Sequence, residues 1–490
     1  MRMAVEGNPR TSAFSLMTGM TALIIDVLPR TGVASLTMST IETFRLAEQR
    51  SATAELAHFA TACRHDGVPT EVQERIGVML VDLLGVTLVG SRTPELRALT
   101  SVWRADDGTH ATVGSVLTGS AETVAHLDAI AACCLELDEG NKHAAGHPAA
   151  HVVFAAVAAA RIADRPVSGR ELLDAIAVGY EVAARFGRAV VRDPRWHTHG
   201  HWGATGAACA AAMVLDATTD QIAAAIDAST TLVQVTPWEV VLRGGFSRNL
   251  WIAGANRAGL DAARLALAGL VDNAGNAQHT LGDIVGSLDP AVLVDHLGEV
   301  WLTTQGYTKQ HASCSYTHAA VDAVQALKAS NGLDPADVAT VTVHTHSLAT
   351  PLFQRDPSSR LAAMFSLPFV VAAAVVSPAI DATTLDPSGP LFAVAQELSA
   401  RVEVDASPSL DALLPHRRAA EVTITLRDGT ELGLGVPNPI GDVDHFPMSA
   451  DDVTAKLHRL VGEDDTARIA AVVAALAVGD DAVATLRSLP

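Results

Sequence analysis

Between Glu136 and His151 the chain reads Glu-Leu-Asp-Glu-Gly-Asn-Lys-His-Ala-Ala-Gly-His-Pro-Ala-Ala-His, with three carboxylates, three histidines and one lysine in sixteen residues. Apolar, Ala-rich runs at Ala121–Leu135 and Val152–Ala163 flank this patch. Burying unpaired charge costs several kcal/mol, so such a density of titratable groups between two core helices is not explained by stability. Carboxylates beside imidazoles move protons, and the patch reads as one wall of an active site. The bland alternatives are a helix-capping or purely structural role for His147 and a surface position at a helix C-terminus for Asp138.

Three further polar clusters stand at segment junctions. Trp196-His197-Thr198-His199-Gly200-His201-Trp202 runs into the helix expected at Ala207–Leu215. In an extended chain its alternate histidines would face one way and could hold a metal, but a surface or cleft loop with aromatic anchors is the preferred reading. Arg243-Gly244-Gly245-Phe246-Ser247-Arg248-Asn249 enters the helix expected at Ile252–Leu270, where free N–H groups favour an anion. Tyr307-Thr308-Lys309-Gln310-His311-Ala312-Ser313-Cys314-Ser315-Tyr316-Thr317-His318 gathers one of only four lysines with a thiol and two of the three tyrosines. A Cys–His nucleophile pair there lacks an oxyanion-hole signature. His318 heads an apolar helix, and packing alone can account for it.

The elements that must position these clusters are mostly helices. From Ile41 to Val271 one helical pattern follows another and no alternating strand pattern appears, so this half is expected to be all-α. Capping-box spacings open helices at Thr70/Gln73, Ser168/Glu171 and Thr218/Gln221. After Asn273 the pattern changes. Val338–Val343, Arg401–Val404 and Glu421–Leu426 alternate with period two, and Asp428-Gly429 supplies a hairpin turn toward Glu431–Val436. Helical runs at Ala319–Lys328 and Phe369–Val376 intervene, and helices return at Ser449 and Ala467–Leu476. The expected fold is mainly α, a large all-helical domain built from both chain ends with a smaller α+β domain inserted. Its segments are a poorly ordered extension at 1–39, helices at 40–272, the α+β part at 273–436 and helices again at 437–490.

At 490 residues the chain is too long for one ordinary core. Its formal net charge of −20 argues against nucleic acid or an anionic membrane as partner, but a pocket can still be locally positive for a small anion. Five cysteines without paired spacing fit a reducing cytoplasm. The apolar run Thr21–Leu28 is too short to span a bilayer. No P-loop, dinucleotide fingerprint or nucleophile elbow occurs, so the chemistry is expected to run on side chains with no cofactor and no metal.

In this order, the motifs resemble the MmgE/PrpD family, which holds 2-methylcitrate dehydratases, cis-aconitate decarboxylases and iminodisuccinate epimerases. The resemblance rests on Leu135–Pro148, Gly200–Gly206, Ser247–Gly259, Lys309–Ala323 and Phe365–Phe369, and covers roughly residues 50–465. It implies that the α+β part is a lid over an active-site cleft and that the protein is a homodimer. It implies that His147 is the proton-shuttling histidine of a His-Pro motif and Lys309 the lysine facing substrate carboxylates. Arg248 falls where several members have a lysine, and Glu136 and Asp138 fall in an aspartate-rich run. Two departures stand out from the decarboxylases. Gly140 and Asn141 occupy a region where a threonine follows the acidic run, and Cys314 replaces a second histidine.

Together these readings point to a cofactor-independent lyase acting on a small di- or tricarboxylate, with 2-methylcitrate-type dehydration as the first expectation. A proton next to a carboxylate is weakly acidic, so cations must take up the developing charge. The expected catalytic residues are His147, Lys309, Asp138, Cys314 and Tyr316. Substrate binding is assigned to Arg248, Lys309, Glu136, Asn141, His201, His311 and His318. Decarboxylation, epimerisation and an inactive carboxylate-binding homologue are the alternatives.

Overall fold

The computed structural model describes residues 38–490 apart from 104, 105 and 116, so the extension expected before residue 38 lies outside the described residues. The chain divides into two compact units, Met1–Arg45 and Leu46–Pro490. The described part of the first is the opening of the helix Met38–Asp66. Everything below belongs to the second.

Gly203–Val214 (Gly-Ala-Thr-Gly-Ala-Ala-Cys-Ala-Ala-Ala-Met-Val) is buried over its whole length. Helices Pro148–Ile162, Gly169–Ala189, Thr219–Ser229 and Arg248–Leu267 pack around it. Small side chains make this possible. A Cβ on Gly179 would come within 2.7 Å of the Gly206 carbonyl oxygen, so only glycine permits this helix crossing. The central helix starts directly after the His-rich segment, which fixes that segment at the core's edge.

The capping boxes at Ser168/Glu171 and Thr218/Gln221 form with both reciprocal hydrogen bonds, as does one at Ser449/Asp452. The one expected at Thr70/Gln73 does not form. Pro69, pre-set for a helix entry, is the N-cap, so Thr70 is already helical and Gln73 Nε2 donates instead to the Val68 carbonyl at 2.6 Å. The all-α expectation for the first half also needs correction. Short antiparallel ribbons pair His110–Ala111 with Thr118–Gly119, Gly140–Asn141 with Gly306–Tyr307, and Val190–Arg192 with Gly286–Leu288. Runs of two or three residues are too short for a period of two to be visible.

Segment 286–307 stays with the helices. Arg185, in a buried ion pair with Glu181 at 2.8 Å, donates to the Leu293 and Asp295 carbonyls, and Glu181 accepts from Thr303. A four-stranded sheet begins at Val338, in the order Glu431–Val436, Ala420–Leu426, Val338–Thr345, Val402–Ala406. The last pair is parallel and the others antiparallel, with Gly429 at φ +88° in the expected hairpin turn. Helices His318–Asn331 and Leu367–Val376 pack on this sheet, while Ala450–Val461 and Glu463–Leu476 pack on Thr70–Ser91. Among the described residues no single helix is long and apolar enough to cross a membrane. Thr70–Ser91 and Pro94–Val102 reach that length only together, bent by 73°.

Candidate active site

The two-residue ribbon Gly140–Asn141 with Gly306–Tyr307 joins the acidic segment to the lysine segment across more than 160 positions. A side chain on Gly140 would strike the Tyr307 ring, so glycine is required there. Lys309, two residues past the ribbon, is fully buried and places Nζ 2.9 Å from both the carbonyl oxygen and Oε2 of Glu136. Arg248, the first residue of its helix and also fully buried, pairs with the other Glu136 oxygen and donates to the Cys133 carbonyl at 2.9 Å. Its guanidinium lies over the Phe365 ring at 5.6 Å. Glu136 itself sits at φ +51°, a left-handed conformation that costs a non-glycine residue about 1–2 kcal/mol. One carboxylate thus serves two buried cations.

His147 is the N-cap residue of Pro148–Ile162, with Pro148 at the first helical position. The capping position is therefore real, but the imidazole does not cap. Nδ1 lies 3.0 Å from Asp138 Oδ2, close but not aligned as a hydrogen bond, and Nε2 lies 3.8 Å from Glu136 Oε2. Glu139 does the capping instead, accepting from Ala149 N at 2.7 Å and from the Tyr180 hydroxyl at 3.0 Å. Burial pushes the Glu139 carboxyl up to about 7. Burial pushes in the same direction at Asp138, but the adjoining His147 and Lys309 outweigh it and hold this carboxyl below its ordinary value.

A second layer of imidazoles lies behind His147. His199 is fully buried, meets the His147 ring edge-on at 4.7 Å and the His197 ring at 4.4 Å, and neither of its ring nitrogens has a partner. Burial drives His197 and His199 well below the ordinary histidine value, so both are neutral. His151 places Nδ1 2.7 Å from the His147 carbonyl oxygen, accepts from Gly200 N at Nε2, and is pushed down to about 4 by burial. It ties the two segments together. Among the described residues no group of three His, Cys, Asp or Glu side chains is arranged to hold a metal ion.

Of the residues expected from sequence, Glu136, Asp138, His147, Arg248 and Lys309 therefore meet. Cys314 is buried within the field of Lys309, Arg418 and Arg248, and burial raises its thiol. Tyr316 follows it, half-buried against Arg418. The other expected binders have local jobs. Asn141 spends its amide on the Leu302 carbonyl and on the His143 and Ala144 amides. His201 bonds Thr236 Oγ1 at 2.8 Å, His311 bonds Asp322 Oδ1 at 2.8 Å, and His318 donates to the Ser313 carbonyl. The sequence alone places His199 in a surface or cleft loop and does not single out Arg418 or His346. The alternating His-x-His spacing was the one visible signal for His199.

Residues 54–278 match the MmgE/PrpD N-terminal domain and residues 311–477 the MmgE/PrpD C-terminal domain. A cis-aconitate decarboxylase of Aspergillus terreus (strain NIH 2624 / FGSC A1156) is 25% identical over 304 residues, 56% of this chain and 60% of that protein. The cis-aconitate decarboxylase-like protein oryM of Aspergillus oryzae (strain ATCC 42149 / RIB 40) is 26% identical over 330 residues, 62% of this chain and 67% of that protein. Another cis-aconitate decarboxylase of Aspergillus terreus is 23% identical over 450 residues, 84% of this chain and 89% of its own. The chain thus spans less than two thirds of the first of these relatives. With both family domains present in order and covering most of its length, the chain belongs to the MmgE/PrpD family.

Proposed function

We propose that this protein is a lyase that transfers a proton at a carbon next to a carboxylate of a small di- or tricarboxylate. The observation that carries this reading is the seat of Glu136. A carboxylate is held there between Arg248 and Lys309, with one oxygen 3.8 Å from His147 Nε2. A substrate carboxylate entering beside or in place of Glu136 would meet the same cations and bring its neighbouring carbon to the same imidazole. Family membership and the three decarboxylase relatives support the class.

Asp138 orients the His147 ring through Nδ1, so Nε2 faces the bound acid and can deliver a proton to an alkene carbon. As the C–H bond forms, the electrons of a C–CO₂⁻ bond shift into a new double bond and CO₂ leaves. His147 then recovers a proton from solvent. Arg248 and Lys309 hold the carboxylate that stays, and removing one such positioned donor typically costs about 10²–10³ in rate. His199, neutral and without partners, can offer one N–H to the bound acid.

This favours decarboxylation of a cis-aconitate-type acid over the dehydration expected first from sequence. Losing CO₂ needs one proton delivery, and the site has one imidazole backed by a carboxylate. Dehydration of the 2-methylcitrate type is the second reading, supported by Cys314 and Tyr316. Burial raises both groups, so they carry protons at neutral pH that a leaving hydroxyl could take. Incubation with cis-aconitate, 2-methylcitrate, citrate and iminodisuccinate in D₂O, followed by NMR, separates the cases. CO₂ loss with one deuterium in the product supports the first reading and water loss the second. No turnover and no deuterium incorporation with any of the four acids defeats the proposal.

A further inference from the structure

Seven Lys or Arg side chains among the described residues are buried, and six of them contact a carboxylate. Arg418 is the exception. It is 6% exposed, and its partners are all uncharged: Ser315 Oγ at 3.1 Å, the Lys142 carbonyl at 3.2 Å, and the rings of Tyr307 and Tyr316 beneath its guanidinium at 5.5 and 5.1 Å. A buried cation without a protein counter-ion is costly, so this position favours an anion. A second observation points the same way. His346, fully buried, meets the Tyr316 ring edge-on at 5.3 Å, and both of its ring nitrogens are without partners. Ser315 and Tyr316 are only half-buried. The same turn carries Cys314, whose thiol feels Lys309, Arg248 and Arg418 together.

We infer that Arg418, with Ser315, Tyr316 and His346, forms a second carboxylate seat, taking a substrate carboxylate remote from the carbon that His147 serves. The inference rests on the carboxylate-lyase reading and extends it. The Arg248–Lys309 seat holds the acid at its reacting end, and Arg418 selects for a further carboxylate at the other. Arginine suits this role because its planar fork grips a carboxylate with two parallel hydrogen bonds.

The test is calorimetric titration of the purified protein with three unreactive acids: tricarballylate, glutarate and butyrate. The expected result is tricarballylate binding at least 10-fold more tightly than butyrate. Arg418→Gln should weaken tricarballylate at least 10-fold while butyrate changes less than 2-fold. Because Arg418→Gln also removes a bond to the Lys142 carbonyl, Ser315→Asp serves as a second variant. It places a carboxylate beside the guanidinium from a half-buried position, and should remove the tricarballylate preference while raising the melting temperature. Tricarballylate binding unchanged in Arg418→Gln, or in Ser315→Asp where the first variant does not fold, overturns the inference and leaves the lyase reading standing. A parent protein that binds none of the three acids overturns both.

Discussion

Two of the buried lysines grip adjacent residues of the same segment and are put to different uses. Lys456 Nζ lies 2.6 Å from Asp82 Oδ1 and 3.3 Å from the Leu137 carbonyl, while Lys309 Nζ lies 2.9 Å from both the Glu136 carboxylate and the Glu136 carbonyl. Both are fully buried, and burial lowers both below the ordinary lysine value. Lys456 has a carboxylate to itself. Lys309 shares its carboxylate with Arg248, beside the imidazole of His147 and the unpartnered nitrogens of His199. A one-to-one buried pair is balanced in charge and holds helix Ala450–Val461 to helix Thr70–Ser91. Two cations on one carboxylate have binding capacity left over, and that surplus marks a site.

The sharpest break between the two lies in activity. His147→Gln should lower kcat by about 10²–10⁴-fold, and Lys309→Met should lower kcat/KM by about 10²–10³-fold. Steady-state assay on the turned-over acid checks both. Lys456→Met should leave activity per folded molecule near that of the parent, and a loss as deep as that of Lys309→Met would erase the distinction.

In stability the order reverses. Lys456→Met leaves Asp82 buried and alone, and should cost about 3–5 kcal/mol in urea unfolding. Replacing both partners, Lys456→Met with Asp82→Leu, should recover most of that loss. Lys309→Met with Glu136→Leu should regain no activity, whatever it does to stability.

Acid sharpens the comparison from another side. Around the His-rich segment and the Lys309 turn, burial pushes His151 and His201 down to about 4 and holds His197, His199 and His318 well below the ordinary histidine value. Unfolding lets these groups return to about 6.5, so below that pH the unfolded chain binds more protons than the folded one. Their stabilisation is complete above about pH 6.5 and falls as pH drops toward 4, by about 1.4 kcal/mol per pH unit for each imidazole. Glu139 and Asp128 act in the opposite sense. Burial raises both to about 7, so their contribution is present below the ordinary carboxylate range and is lost as pH rises toward 7. The net expectation is lower stability at pH 5 than at pH 7, measured by urea titration at each pH. Hydrogen exchange should open residues 197–203 before the Lys456 region.

The smallest expected effect is on Glu139→Gln, which keeps an acceptor for Ala149 N. It should change stability by about 1 kcal/mol or less and leave the pH dependence of kcat in place, as measured by a pH–rate profile.

Much of this was legible in the residues. Helix periodicity and local capping spacings located most helices, because such signals involve residues three or four apart. The dense charge of Glu136–His151 and the rarity of lysine marked out Glu136, Asp138, His147 and Lys309 as candidates. The family's ordered motifs were visible as well. Thr70/Gln73 misled because a proline one residue earlier supplied the helix entry, a choice that the capping spacing does not encode.

What only the tertiary structure decided is who touches whom. A two-residue ribbon brings Lys309 to Glu136, and no periodicity can announce pairing so short and so distant. Equal-looking histidines diverge by surroundings: His311 is paired with Asp322, whereas His199 is left with both nitrogens free. Lys456 and Lys309 are the same residue type, each aimed at the same segment, and only the balance of charges within a few ångströms separates a structural pair from a site. Residue type and local spacing are properties of the chain. Burial and charge balance arise only when distant segments exclude water together, so they belong to the fold.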